Sequence, residues 1–258
     1  MACAQNGFIH QWLDHVTRIQ NEEPHWISPL IMTTPRLEQK FREDVVRQSV
    51  PGGYIWEYNN NAKGVEFVPL RPIAVTLNVV PPYLQHDVPK AKDGFGDVNF
   101  MLKYRFVARN EAKGNYVVTA FLGASVPTGS HQNGSNSATL SPALAGGKGW
   151  GRFNMESSLG GVLPVDSART VGRSLVWNSV AQYHIGRYLW PELESNATDY
   201  KGGPHDGKMQ EFLTPGLLLG RFPFHNRTGI TLGLGMQMAT SHYHAYNHAI
   251  VLSGRIPF

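Results

Sequence analysis

Residues 247–258 read NHAIVLSGRIPF, and His248, Ile250, Leu252, Gly254, Ile256 and Phe258 fall on one parity of that stretch. Successive side chains of an extended chain point to opposite faces, so this alternation describes a β-strand with one largely apolar face. The same period of two runs from Asp97 to Phe106, where Val98, Phe100, Leu102, Tyr104 and Phe106 oppose Asp97, Asn99, Met101, Lys103 and Arg105. It returns in Phe153, Met155 and Leu159 against Asn154, Glu156 and Ser158, and in Ile230, Leu232, Leu234, Met236 and Met238 against Thr231, Gly233, Gly235, Gln237 and Ala239. A helix would scramble these faces.

Composition narrows the setting without choosing it. The 258 residues suffice for one large all-β domain, and no run approaches the roughly 18 consecutive apolar residues of a spanning helix. A hydrophobic content of 41% and a mean hydropathy of -0.27 suit a soluble protein, and equally a barrel that shows half of each strand to lipid. A single cysteine, Cys3, excludes an internal disulfide framework. The net charge of +4 is spread along the chain with no basic run or basic and aromatic cluster, which argues against nucleic acid as a partner.

Strands are predicted near 35–47, 63–70, 73–80, 97–107, 115–126, 138–147, 152–163, 175–185, 188–198, 210–220, 229–238 and 247–258, about 12 in all. An even count brings both ends of a single-chain barrel to one side. Connectors alternate: Gln48 to Ala62 is long and Arg71-Pro72 short, Pro81 to Gly96 long and Asn110 to Gly114 shorter. Pro127 to Ser137 is again long, Lys148 to Gly151 short, Pro164 to Ser174 long and Gly186-Arg187 a bare turn. Long and short therefore fall on opposite ends of the sheet, as in outer-membrane barrels with short periplasmic turns and longer external loops. Trp150, Trp177, Tyr183, Tyr188, Trp190 and Tyr243 lie near predicted strand ends, where amphipathic rings favour a membrane-water boundary. The expectation is an all-β fold, a closed antiparallel transmembrane β-barrel of about 12 strands over residues 35–258, preceded by an amino-terminal segment, 1–34, with a short helix.

The aromatic Phe258, with apolar Ile256, Leu252 and Ile250 two, six and eight positions before it, resembles the carboxy-terminal signal read by the barrel-assembly machinery of Gram-negative bacteria; Gly254 departs from that pattern. A family resemblance joins it. Asp93-Gly94-Phe95-Gly96-Asp97-Val98, the alternating strand to Tyr104-Arg105-Phe106, and Ser125-Val126-Pro127-Thr128-Gly129-Ser130 resemble the outer-membrane transporter-like barrels associated with meta-pathway phenol degradation. Thr214-Pro215-Gly216 and Arg255-Ile256-Pro257-Phe258 match that family's late strands less distinctively. The resemblance spans about 35–258. It implies a barrel in outer-membrane lipid that passes small molecules, apolar or aromatic ones among them, and it does not establish phenol as the solute.

In the amino-terminal segment, Phe8, Ile9, Trp12, Leu13, Val16 and Ile19 recur at helical spacing from about Asn6 to Gln20, bounded by Pro24. A helix packed on the barrel's lower rim is the expectation, ahead of a plug inside the lumen. Ala2-Cys3-Ala4 before Gln5 reads as the end of a cleavable signal, with Cys3 as a lipid-carrying residue the weaker alternative.

The polar face of a closed barrel becomes its lumen. The candidate solute path is Arg36, Glu38, Lys40, Arg42, Asp97, Asn99, Lys103, Arg105, Glu156, Glu192, Glu194 and Arg255, with Lys103 and Arg105 facing Glu192 and Glu194. Lipid-facing Arg or Lys would cost up to about 2–4 kcal/mol each at the midplane, so the interior is their place. Salt-bridged filling and a selective constriction remain equal alternatives for each residue. Ser157 and Ser158 near Glu156 have no spacing that fixes a triad. His242, His244 and His248 lack a Cys or carboxylate at metal-ligand spacing and read as loop residues, so neither metal nor cofactor is expected. Gly146-Gly147-Lys148-Gly149 misses the P-loop spacing and reads as a turn. A passive channel or transporter for small-molecule solutes, not an enzyme, is the expected function; the alternative is a structural or lipid-modifying barrel with a filled lumen.

Overall fold

The computed structural model describes residues 2–258 apart from 60–62, 79, 136, 167 and 226, with backbone only for 2–6 and 225. The side chains of Ala2, Cys3, Ala4 and Gln5, and with them the signal-like or lipid-carrying reading, lie outside the described residues. Helix α1 covers Ala2–Asn21 and α2 covers Ala168–Val171. The early strands are β1 Lys40–Val50, β2 Gly53–Tyr58, β3 Val65–Leu70, β4 Ile73–Leu77, β5 Tyr83–Asp87, β6 Gly94–Phe95 and β7 Val98–Arg109. The later ones are β8 Tyr116–Val126, β9 Thr139–Trp150, β10 Phe153–Pro164, β11 Arg173–Tyr183, β12 Leu189–Lys201, β13 Met209–His225, β14 Thr228–Ala239 and β15 His248–Pro257.

These segments form one antiparallel sheet that closes on itself through β1 and β15, paired from Lys40↔Pro257 to Ser49↔His248. Along its other edge β1 pairs with β3 at Lys40 and Phe41 and with β2 from Val45 to Val50, so β2 and β3 share one position in the ring. The same holds for β4 with β5 and for β6 with β7, because β5 pairs with β2 and β6 while β4 pairs with β3 and β7. The ring is a closed barrel of 12 strands. Two connectors expected to be loops are thereby corrected. Gln48 to Ala62 and Pro81 to Gly96 contain the end of β1 and all of β2, β5 and β6, because GYIWEY and YLQHD continue the wall upward. The short turns stay tight: Gly151 and Gly186 adopt φ of 59° and 62°, where a side chain would be strained.

Alternation separates two surfaces. In β7 Phe100, Leu102, Tyr104 and Phe106 point outward and Lys103 and Arg105 inward. A register shift between Arg105 and Val107 then turns Ala108 inward and Arg109 outward. Phe106, Leu144 and Trp177 are 60%, 55% and 59% exposed, whereas Lys103, Arg42 and Glu194 are 1%, 2% and 0% exposed. A soluble protein shows the opposite distribution. The outside is an apolar belt around a charged interior.

Candidate functional site

The interior is occupied by the chain itself. Helix α1 lies across the short-turn mouth, with Val16 and Ile19 buried against Leu37, Val68 and Ala74. Trp12 Nε1 donates to Gln39 Oε1 at 3.0 Å, and Arg227 in the turn between β13 and β14 donates to the Leu13 carbonyl at 2.9 Å and to Gln20 Oε1 at 2.8 Å. Phe8 and Ile9 point away from the barrel and are exposed. The helix thus sits at the mouth, and the plug is the segment after it. Residues 22–39 cross the lumen, burying Trp26, Ile27, Leu30, Met32 and Leu37. The wall starts at Lys40 and not at 35, since Arg36 and Glu38 belong to this inner segment.

Most of the wall's buried charges face the plug's main chain. On its carbonyl side, Arg255 donates to Ser28 and Pro29 (2.8 Å for the latter), Arg42 to Pro29 (3.1 Å) and Leu30, and Lys63 to Ile31 (2.7 Å). Lys103 donates to the carbonyls of Thr34 and Arg36 at 3.2 and 3.1 Å. On its amide side, Glu192 accepts the N–H of Leu30 at 2.9 Å, and Glu194 accepts those of Ile31 and Met32 at 2.6 and 2.7 Å. Glu66 accepts the N–H of Glu38 at 3.0 Å, and within the segment itself Glu23 accepts that of Leu37, also at 3.0 Å. A buried segment without sheet or helix needs a partner for every backbone polar group, and here charged side chains supply many of them.

The charges also pair with each other. Lys103 meets Glu66 at 2.8 Å, Arg105 meets Glu23 at 2.9 Å, Arg36 meets Glu38 at 3.0 Å and Arg42 meets Asp44 at 2.7 Å; Lys40 also pairs with Glu38. Lys103 and Arg105 therefore do not pair with Glu192 and Glu194, because the plug lies between the two walls and each wall answers it. Asn154 donates to Gln182 and Gln182 to Glu192, at 3.0 and 2.7 Å, and Glu156 is fully buried beside them. Asp97 sits at the long-loop end, where it accepts the N–H groups of Gly129 and Ser135 at 2.9 and 2.7 Å and so ties these two positions of the loop to the wall. Asn99 donates to the Asp97 carbonyl at 2.8 Å.

Glycines make room for the plug. A methyl group at Gly147 would lie 2.6 Å from the Trp26 ring, and one at Gly235 would lie 2.3 Å from Leu30. Gly146-Gly147-Lys148-Gly149 accordingly lies inside β9, not in a turn: the bare backbone lets Trp26 rest on the wall. On either side of the plug a cavity remains. One of about 310 Å³ opens toward the short-turn mouth, and one of about 150 Å³ lies between Thr33-Thr34 and the upper ends of β7, β8 and β9, beside Asn99, Ser125 and Thr139.

The remaining candidates lie apart from this interior. Ser157 faces outward, bonded to Ser179 and to the Trp177 ring N–H, both at 2.9 Å. The His244 ring meets the Ser241 carbonyl and Asn247, each at 3.0 Å, and among the described residues no group of three His, Cys, Asp or Glu is placed to hold a metal. Leu252 and Ile256 are exposed on the outer face, and Phe258 packs edge-on against Phe67 with ring centroids 6.1 Å apart.

No family model matches the chain, and no curated protein matches it. Solved barrels do. The NanC porin superposes with a TM-score of 0.56 and 10% identity, covering 84% of this chain and 98% of its own. An outer membrane channel from Pseudomonas putida F1 superposes with a TM-score of 0.58 and 12% identity, covering 90% of this chain and all of its own, 100%. At these identities the likeness establishes the shared barrel fold.

Proposed function

We propose that the chain resides in the bacterial outer membrane and passes small molecules, apolar or aromatic ones among them, through a barrel whose inner segment must shift to let them by. One observation carries this reading: the lumen is filled by a polypeptide whose main-chain N–H and C=O groups are held by charged side chains of the wall. Such a filling can move as a unit and leave polar walls behind. The apolar belt supports the membrane setting, and the likeness to two outer-membrane channels supports passage. Arg36, Glu38, Lys40, Arg42, Lys103, Arg105, Glu156, Glu192, Glu194 and Arg255 would border the path; Asp97 and Asn99 would stand at its outer end. The resemblance to barrels of meta-pathway phenol degradation fits aromatic solutes, and Leu252, Ile256 and Phe258 would form the surface offered to the assembly machinery.

The second reading, a structural or lipid-modifying barrel with a permanently filled lumen, is favoured by the density of buried ion pairs. Solute uptake into proteoliposomes separates the two. Protein-dependent flux of a small neutral aromatic compound is expected; no flux from a fully heat-modifiable barrel, in the wild type and in a variant with a loosened plug, would establish the second reading instead.

A further inference from the structure

At the short-turn mouth two guanidinium groups converge on one neutral oxygen. The Trp26 carbonyl accepts from Arg36 Nη1 and from Arg221 Nη2, the latter at 2.8 Å. Arg36 has carboxylate company, Glu38 at 3.0 Å and Glu23 at 3.8 Å, but its Nε has no hydrogen-bond partner among the described residues. Arg221 is exposed to the mouth, and no carboxylate lies within 4.0 Å of it among the described residues. Glu38 and Glu23 are engaged by Arg36, so at contact distance Arg221 meets a like charge and only a shared carbonyl dipole, which offsets the repulsion in part.

The surroundings deepen the imbalance. The 310 Å³ cavity is bordered by Arg36, Lys40, Arg221, Arg227 and Arg255 against one side-chain carboxylate, Glu38, which Arg36 and Lys40 already share. Arg227 and Arg255 bond carbonyls and neutral side chains. Ile27, Pro223 and Pro257 add an apolar wall. A second hollow of about 220 Å³ shares Ile27 and Arg221 and adds Arg187 and Trp190, so Arg221 stands between the two.

From this geometry we propose that the short-turn mouth is a binding site for a small organic carboxylate. Its oxygens bridge Arg221 and Arg36 beside the Trp26 carbonyl, and its apolar body lies along Ile27. A carboxylate matches the planar fork of a guanidinium and supplies the missing negative charge. The hollow, near the lower limit for small-molecule pockets, suits a ligand about the size of one aromatic ring with its acid group. The site is reached from the mouth without displacing the plug, so it stands whether or not solutes cross the barrel.

Equilibrium binding of benzoate and of uncharged benzyl alcohol to the detergent-solubilised, heat-modifiable protein, followed by calorimetry, tests this. Benzoate should bind saturably, one per barrel, and about tenfold or more tighter than benzyl alcohol. Arg221→Gln should weaken benzoate about tenfold without changing benzyl alcohol, and Arg221→Lys should fall between. Equal affinities for the two compounds, absent saturable benzoate binding, or an Arg221→Gln protein that binds benzoate like the wild type would each overturn the proposal. Should Arg221→Gln fail to fold, the comparison of the two compounds on the wild-type protein still decides. Flux measurements do not enter, so failure of the passage reading leaves this result standing.

Discussion

Glu192 of β12 accepts the backbone N–H of Leu30 at 2.9 Å, a carboxylate of the wall closing on an amide of the plug. Glu194 does the same for the next two amides, so two side chains satisfy three consecutive donors of a segment that has no sheet of its own. Charge-assisted hydrogen bonds of this kind contribute about 1.5–3 kcal/mol each, against about 1 for neutral ones. Converting both to glutamine removes the charge and leaves one acceptor at each position, so that at Glu194 an amide NH2 replaces the oxygen taking one of the Ile31 and Met32 N–H groups. Glu192→Gln with Glu194→Gln should loosen the plug by about 3–5 kcal/mol while the strand ladder still closes the barrel. In planar bilayers the double variant should conduct more often than the wild type and favour anions, because Arg42, Lys63 and Arg255 are left facing the lumen. Unchanged conductance and unchanged selectivity would separate these carboxylates from any gating role.

A different outcome is expected at Lys103. This residue, 1% exposed, pairs with Glu66 and donates to two plug carbonyls. Lys103→Met removes one partner of a buried pair, which costs about 3–5 kcal/mol. The temperature at which the folded band converts on a heat-modifiability gel should fall markedly, far more than for Glu192→Gln alone.

Gly147 tests the fit between wall and plug. Any Cβ there meets the Trp26 ring and the Glu156 side chain. Gly147→Ala should cost about 1–3 kcal/mol by overpacking, or drive Trp26 off the wall. Tryptophan fluorescence should shift to longer wavelength and protease should gain access to residues 22–39; a spectrum and digestion pattern identical to the wild type would contradict this packing.

Acid should release the near end of the plug. Glu111, on the turn after β7, accepts the His25 N–H at 2.7 Å and meets the His25 ring at 2.7 Å. Partial burial raises its pKa, but the two hydrogen bonds from His25 outweigh this and hold the carboxyl below its ordinary 4.5. A carboxyl depressed in the folded state contributes stability that is fully present above its unfolded pKa and is lost as the pH falls through the lower, folded one. Amide exchange at residues 22–27, corrected for intrinsic rates, should therefore accelerate as the pH drops below about 4.5 in the wild type. In Glu111→Gln it should already be fast at neutral pH and show no such step.

The barrel was legible in the sequence because lipid-type exposure imposes a period of two that no other constraint in the wall erases. Phe100, Leu102 and Tyr104 carry it, as do Ile250 and Leu252. The plug was not legible. A segment surrounded on all sides by wall has no exposed face, so Trp26, Ile27, Leu30 and Met32 show neither helical nor strand periodicity. Its partners are main-chain atoms, and the sequence of a segment does not display them. Residue type marks the interior charges but not their partners: alternation alone sets Lys103 and Arg105 facing Glu192 and Glu194, and the intervening chain, which leaves no trace in the wall strands' alternation, separates them. The signals that point to it are glycines inside strands, Gly146-Gly147 and Gly149 in β9 and Gly233 and Gly235 in β14. In a strand interior, such glycines mark close approach of another group.

The main-chain recognition of residues 28–32 bears on how this stretch can change over generations. Arg255, Arg42 and Lys63 on one side and Glu192 and Glu194 on the other bind atoms that almost every amino acid possesses, so many point substitutions that keep the backbone path leave the bonds intact. Inserting or deleting a single residue is another matter, since it moves each following carbonyl and amide off its charged partner at once. Drift in residue identity combined with invariance in length is thus the pattern to look for across related chains in residues 28–32, the reverse of a surface loop, where length is the freer variable.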